Sequence, residues 1–158
     1  MAHYLGIEDD VYTGGDVDDL LFGMIGSDVI VGGAGADTVA AGTGDDAVYG
    51  GPGGDLLLGE TGSDLVYGGR GDDLLSGDGG NDTLYGDAGD DLLSGGAHAD
   101  QFWVGLGHDV ILDYQPGIDV VSVAGDWPWW YEEPAPGIGV MHGDDWSATI
   151  IWGTVAWG

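Results

Sequence analysis

The apolar positions of this chain fall on a fixed beat of nine. From Leu5 to Leu112 the sequence divides into twelve nine-residue segments. The eighth place of each is apolar or aromatic: Tyr12, Leu21, Ile30, Val39, Val48, Leu57, Val66, Leu75, Leu84, Leu93, Phe102 and Ile111. Repetition at such a period marks small units that bury their apolar side only by stacking on their neighbours. The last three places, as in Leu74-Leu75-Ser76 or Thr83-Leu84-Tyr85, predict a short strand whose middle side chain points inward. The six places before them predict a tight turn, because the first and fourth are mostly glycine, as in Gly50 with Gly53, Gly68 with Gly71 and Gly86 with Gly89. A unit that turns once and lays down one strand builds parallel stacked strands, a solenoid.

The polar positions are as regular. The sixth place is aspartate in every segment: Asp10, Asp19, Asp28, Asp37, Asp46, Asp55, Asp64, Asp73, Asp82, Asp91, Asp100 and Asp109. Solvated turn residues would account for the abundance of aspartate but not for an invariant sixth place beside a fifth that varies among Asp, Ser, Ala, Gly and Asn. A second period appears at the ninth place, where Tyr49, Tyr67, Tyr85 and Trp103 recur eighteen residues apart, with Leu58, Ser76 and Ser94 between them. Alternate segments therefore differ, which predicts two segments per coil and two parallel sheets of six strands with the eighth-place residues between them.

The pattern GGxGxDxUx, nearly unaltered in Gly32 to Ala40, Gly68 to Ser76 and Gly86 to Ser94, resembles the RTX (hemolysin-type) calcium-binding repeat. The resemblance implies an all-β fold, a right-handed parallel β-roll with calcium held between turns stacked on the same edge. It implies ligands from Asp19, Asp28, Asp37, Asp46, Asp55, Asp64, Asp73, Asp82, Asp91, Asp100 and Asp109. The glycine turns beside them would contribute through Gly32 and Gly35, Gly50 and Gly53, Gly59 and Gly62, Gly68 and Gly71, Gly77 and Gly80, and Gly86 and Gly89. Aspartates sharing ions would lie eighteen apart, Asp28 with Asp46 and Asp64 with Asp82 on one edge, Asp37 with Asp55 and Asp73 with Asp91 on the other.

Charge makes the metal necessary as well as plausible. The chain of 158 residues carries 29 acidic side chains against one basic one, Arg70, a formal charge of -28. Burial of the eighth-place side chains falls short of the cost of ordering so glycine-rich a chain. Parallel columns of aspartate widen the deficit. Calcium accepts six to eight oxygen ligands, carbonyls among them, and brings two charges per site, whereas magnesium demands tighter octahedral geometry. Six turns per edge allow at most about ten ions. The end segments are expected to bind weakly: Leu5 to Thr13 lacks both glycines, Gly14 to Phe22 has Val17 at the fourth place, and Gly95 to Trp103 has His98 there.

The same numbers exclude other functions. A chain without lysine and with one arginine does not bind nucleic acid. No cysteine is present, so thiol chemistry and disulfides are absent. No apolar stretch approaches the roughly 20 residues that a bilayer needs. Met1 to Asp10 has neither a basic nor an apolar leader region, so no N-terminal secretory signal is expected. His3, His98, His108 and His142 form no HExxH and adjoin no nucleophile, and Asp144 with Asp145 reads as a turn, so no enzyme is expected.

Three regions are expected: residues 1–13 as an N-terminal capping segment, 14–112 as the roll, and 113–158 as a tryptophan-rich C-terminal β cap. Gly117-Ile118-Asp119-Val120-Val121 keeps a shadow of the motif after the register slips. Alternation in Ala148 to Trp152 and Thr154 to Trp157 predicts strands. Trp127-Pro128-Trp129-Trp130-Tyr131 reads either as packing that closes the core or as an exposed platform for sugar rings. Leu56, Leu58, Leu65, Leu74 and Leu92 are expected on the outer faces, an apolar surface suited to another copy, a parent protein or a ligand. The function expected is calcium-driven folding of a secreted, extracellular module or small protein, exported through an uncleaved C-terminal signal as the resemblance implies. The alternative is a calcium-stabilised carbohydrate-binding or adhesion module that takes a glycan on its aromatic surface. Ice binding lacks the regular outward threonines it would need, Thr38 and Thr83 being isolated.

Overall fold

A computed structural model describes residues 2–123, 130–135, 138–142 and 146–151. Every described element is a strand: β1 (Ala2–Gly6), β2 (Val11–Thr13), β3 (Leu20–Ile25), β4 (Val29–Val31), β5 (Thr38–Thr43), β6 (Ala47–Pro52), β7 (Leu56–Thr61), β8 (Leu65–Arg70), β9 (Leu74–Gly79), β10 (Thr83–Ala88), β11 (Leu92–Ala97), β12 (Gln101–Val104), β13 (Gly107–Ile111), β14 (Val120–Val123), β15 (Trp130–Ala135), β16 (Ile138–His142) and β17 (Trp146–Ile151). From β1 to β14 odd and even strands separate into two sheets, and β15 to β17 all join the odd one. One runs β1-β3-β5-β7-β9-β11-β13-β17-β16-β15 and the other β14-β12-β10-β8-β6-β4-β2.

Each coil is therefore two nonapeptides, and the stack is a parallel β-solenoid of about seven turns. Register is held at eighteen residues: Leu56 pairs with Leu74 and Leu74 with Leu92, while Tyr49 pairs with Tyr67 and Tyr67 with Tyr85. The core is the eighth-place column. Leu21, Ile30, Val39, Val48, Leu57, Val66, Leu75, Leu84, Leu93, Phe102 and Ile111 are all fully buried. At the N-terminal end Tyr12 is half-buried and packs on the core, its ring 5.1 Å from that of His3.

Two expectations need correction. β3 and β5 to β11 are longer than three residues, because each runs on through the first three places of the next segment, as β7 does from Leu56 to Thr61, while β2 and β4 keep the expected three. The turn residues of one coil bond to those of the next, for example Gly32 N–H to the Tyr49 carbonyl at 2.7 Å and Gly33 N–H to that of Gly50 at 3.0 Å. In-register stacking thus extends the ladder past the side chains that pack. The sheets also hold more than six strands each, since β1 precedes the first predicted strand and β14 and β17 follow the last.

Beyond the repeats the solenoid continues by other means. β14 pairs in parallel with β12, and β17 in parallel with β13. β16 and β15 then add antiparallel. The one-residue slip is absorbed in a short turn in which Ile118 and Asp119 N–H both donate to the Gln115 carbonyl. Trp127, Trp129 and Trp157, and the side chains of Trp130 and Tyr131, lie outside the described residues, so the two readings of that cluster stand as they were. No helix among the described residues is long and apolar enough to cross a membrane.

The outward leucines are less exposed than their positions suggested. Leu56, Leu58, Leu65 and Leu92 are half-buried and Leu74 is 39% exposed, because identical registers set them side by side along the stack. On the other sheet Tyr49, Tyr67, Tyr85 and Trp103 form a continuous stack with ring centroids 5.0, 4.3 and 5.5 Å apart and planes within 11°.

Candidate metal centre

The sixth-place aspartates line the two edges of the solenoid as columns. Asp28, Asp37, Asp46, Asp55, Asp64, Asp73, Asp82, Asp91 and Asp100 are only 1–3% exposed. In each, Oδ1 accepts the backbone N–H of the aspartate eighteen residues earlier: Asp46 N–H donates to Asp64 at 2.8 Å and Asp64 N–H to Asp82 at 2.8 Å, with Asp55 to Asp73 and Asp73 to Asp91 on the opposite edge. The other oxygen, Oδ2, is buried and has no hydrogen-bond partner in any of the nine. A buried carboxylate oxygen left without a donor is costly, and nine in one small protein call for a missing positive partner.

The glycines explain where that partner would sit. A methyl group built on Gly50 would overlap both Asp55 Oδ2 and the carbonyl oxygen of Gly68, and one on Gly68 would meet Asp73 Oδ2 and the carbonyl of Gly86. Gly32 faces Asp37 Oδ2 and the Gly50 carbonyl in the same way, while Gly59, Gly77 and Gly86 face Asp64, Asp82 and Asp91. First-place glycine thus keeps open a cradle in which a carboxylate oxygen and a carbonyl oxygen of the next coil converge. Fourth-place glycine serves the backbone instead. Gly35, Gly53, Gly62, Gly71, Gly80 and Gly89 all have φ between 120° and 156°, a region that L side chains avoid.

Electrostatics agree. Burial, reinforced by the aspartates stacked above and below, pushes the carboxyl of Asp64 up to about 7 and that of Asp91 up to about 8, against the pull of one backbone N–H each. Asp46, Asp73 and Asp100 are pushed up to about 6, with burial again the largest cause. Burial also raises Asp55, Asp82 and Asp109. The chain's one basic side chain, Arg70, is exposed. Among the described residues no group of three or more His, Cys, Asp or Glu side chains stands ready to hold a metal. The donor set is one of single carboxylates supplemented by main-chain carbonyls, all hard oxygen ligands of the kind calcium takes.

The profile of the RTX calcium-binding nonapeptide repeat (4 copies) matches residues 13–48, 49–84 and 76–111, well over half of the sequence. The chain belongs to this RTX repeat family. No curated protein matches it in sequence. Among solved structures, the extracellular lipase LipA from Serratia marcescens is similar at 16% identity and a TM-score of 0.37, over 98% of this chain and 38% of the lipase. The chain thus spans under two fifths of that protein's length.

The RTX columns differ at their ends from the middle. Asp19 Oδ2 accepts Gly15 N–H at 2.9 Å and Asp109 Oδ2 accepts Gly105 N–H at 3.0 Å, so both have protein partners of their own. Of the eleven aspartates expected as ligands, nine retain an unpartnered oxygen and these two do not. One of the nine cradles is altered: the first place ahead of Asp46 is Ala41, fully buried, its methyl standing where the other eight have glycine.

Three further groups were not anticipated. Asp119 extends a column past the repeats by accepting Asp100 N–H at 3.1 Å, and its second oxygen takes Gln115 N–H at 2.7 Å. Asp113 begins the same last turn, on the same edge, and holds it through Gly95 N–H, Gly96 N–H and the Ser94 hydroxyl. The variable fifth place forms an exposed second ladder running the opposite way. Asp9 accepts Ser27 N–H, Asp45 accepts Ser63 N–H, Asp72 accepts Asp90 N–H, and Asp90 accepts His108 N–H. Asp, Ser and Asn share an acceptor there, which is the signal that their chemical variety conceals.

Proposed function

We propose that this RTX chain is a calcium-driven folding module that orders on reaching a calcium-rich medium outside the cell. The observation that carries the reading is the set of nine buried, unpartnered Oδ2 atoms in a chain with a single basic residue. The ligands would be Asp28, Asp37, Asp46, Asp55, Asp64, Asp73, Asp82, Asp91 and Asp100 through Oδ2, with carbonyl oxygens of the first-place residues. Calcium, when bound, supplies two positive charges and a coordination shell that tolerates mixed carboxylate and carbonyl oxygens. The chain's own contribution is to bring oxygens from successive coils together, which it does only when stacked, so binding and folding are one equilibrium. One ion per orphaned oxygen gives at most about nine, a little below the limit set by spacing alone.

Export follows the same physics: where calcium is scarce the repelling columns keep the chain extended and threadable, and where it is plentiful they close. The region after residue 112 would cap the roll, since an open parallel edge invites aggregation. The carbohydrate-binding alternative gains nothing from Tyr67 and Tyr85, which are stacked on both sides by their neighbours and have no ring face free for a sugar. Titration with calcium, followed by far-UV circular dichroism, should give a steep gain of sheet signal, with little response to magnesium at the same concentration. Equal responses to the two ions would contradict the proposal.

A further inference from the structure

From the segment that opens at Gly23 to the one that opens at Gly95, the second place carries a left-handed backbone that the sequence does not reserve for glycine. Gly33, Gly42, Gly51 and Gly69 stand there with φ near 114°. At the same place Met24, Glu60, Asp78 and Asp87 have φ of 82°, 73°, 67° and 68°. A methyl on Gly42 or Gly51 would overlap the second-place carbonyl of the coil before it, so a side chain here is opposed by local sterics and by the stacking contact together. Non-glycine residues persist in such conformations where something compensates them. Three of the four are acidic, in a chain already overloaded with negative charge, and each follows directly the glycine that forms a cradle: Gly59, Gly77 and Gly86. The aspartates of those same segments, Asp64, Asp82 and Asp91, are at least 97% buried and have an unpartnered Oδ2. The added acids also act on the columns. Glu60 raises the carboxyl of Asp46, Asp78 that of Asp82 and Asp87 that of Asp73, each a smaller effect than burial. Asp78 is steadied by the Ser76 hydroxyl, which donates to its Oδ1 at 2.9 Å.

We propose that Glu60, Asp78 and Asp87 are affinity-setting residues that strengthen calcium binding in the middle of the roll from outside the cradles, without being ligands. This rests on the calcium reading above. A repulsive charge in the metal-free chain becomes an attractive one when a divalent ion occupies the cradle, so these residues oppose folding without calcium and favour it with calcium. Backbone strain and charge make opposite predictions, which allows them to be separated. Glu60→Gln, Asp78→Asn and Asp87→Asn keep a side chain of the same size in the left-handed position and remove only the charge. In the full chain each should raise the calcium concentration at the folding midpoint by about two- to threefold, and the triple variant by about tenfold, with the difference shrinking as monovalent salt is added. The number of ions bound at saturation should stay the same. Met24→Gly, which relieves the same strain without touching charge, should lower the midpoint. Neutral variants that fold at the parent's calcium concentration or below it would overturn the proposal, and so would a loss of bound ions, which would make these residues ligands. A parent chain indifferent to calcium would overturn the calcium reading itself, a different result from a responsive parent matched by its neutral variants.

Discussion

The middle of the roll and its two ends use the same aspartate for different purposes. In the middle, from Asp28 to Asp100, one oxygen joins successive coils and the other is buried without a partner. At the ends, Asp19, Asp109 and Asp119 turn the second oxygen back onto a main-chain N–H four residues earlier. The middle is incomplete as a protein, whereas Asp109 and Asp119 have a donor on each oxygen and the partly exposed Asp19 has its Oδ2 engaged by Gly15 N–H. A carboxylate with donors on both oxygens is a finished turn, whereas one with a single donor in a dry column is half of a metal site. The difference teaches that position in the stack, and not residue type, decides which aspartates await an ion.

The strongest way to break this comparison is to neutralise one member of each class. Asp64→Asn keeps an oxygen for the Asp46 N–H but removes the charge from a central cradle. It should raise the calcium midpoint of folding by about tenfold, on the order of 1.4 kcal/mol. Asp19→Asn should change it by less than about twofold. Equal effects, measured by calcium titration under circular dichroism, would mean that ends and middle are alike.

Acid offers a test of the middle alone. In the unfolded chain aspartate titrates at about 4, and in the metal-free roll Asp46, Asp73 and Asp100 titrate at about 6, Asp64 at about 7 and Asp91 at about 8. The folded form therefore binds more protons. Its stability from these groups is fully present below the unfolded value and is lost as pH rises through the folded values. With calcium chelated, sheet signal should grow as pH falls from about 8 to about 4, and the calcium midpoint should rise over the same range. A chelated chain that loses sheet on acidification would contradict the assignment of buried, protonatable oxygens.

Smaller effects sharpen the picture. Ala41→Gly should clear the one cradle of the nine that a methyl crowds, lowering the midpoint by about twofold with the same number of ions bound, as counted by mass spectrometry of the native protein. Asp90→Ala, in the exposed fifth-place ladder, should cost about 0.5 kcal/mol in thermal stability with no change in ion number. An ion lost in that variant would move the fifth place into the metal site.

Much of this was legible in the residues. The eighth-place column and the sixth-place aspartates repeat without exception, and because stacking in register brings equivalent places together, a linear period translates directly into columns in space. The roles within the turn were harder to read. First- and fourth-place glycines look alike in sequence, yet Gly50 makes room for Asp55 while Gly53 supplies a φ of 155°. The left-handed second place was hidden because Met24, Glu60, Asp78 and Asp87 occupy it in defiance of the backbone rule. The fifth-place ladder was hidden because Asp, Ser and Asn serve one purpose, and Ala36 and Gly54 interrupt it. Asp113 and Asp119 were missed because the slip of one residue after Leu112 takes them off the period, though the shadow motif around Asp119 was the available clue.

On this reading the roll has no compact state of its own at neutral pH without calcium. Scanning calorimetry of the chelator-stripped chain at low ionic strength tests it most directly. The stripped chain should give a featureless trace that gains a cooperative transition once calcium is restored. A cooperative melt in the stripped sample, at a temperature close to that of the calcium-loaded one, would contradict it.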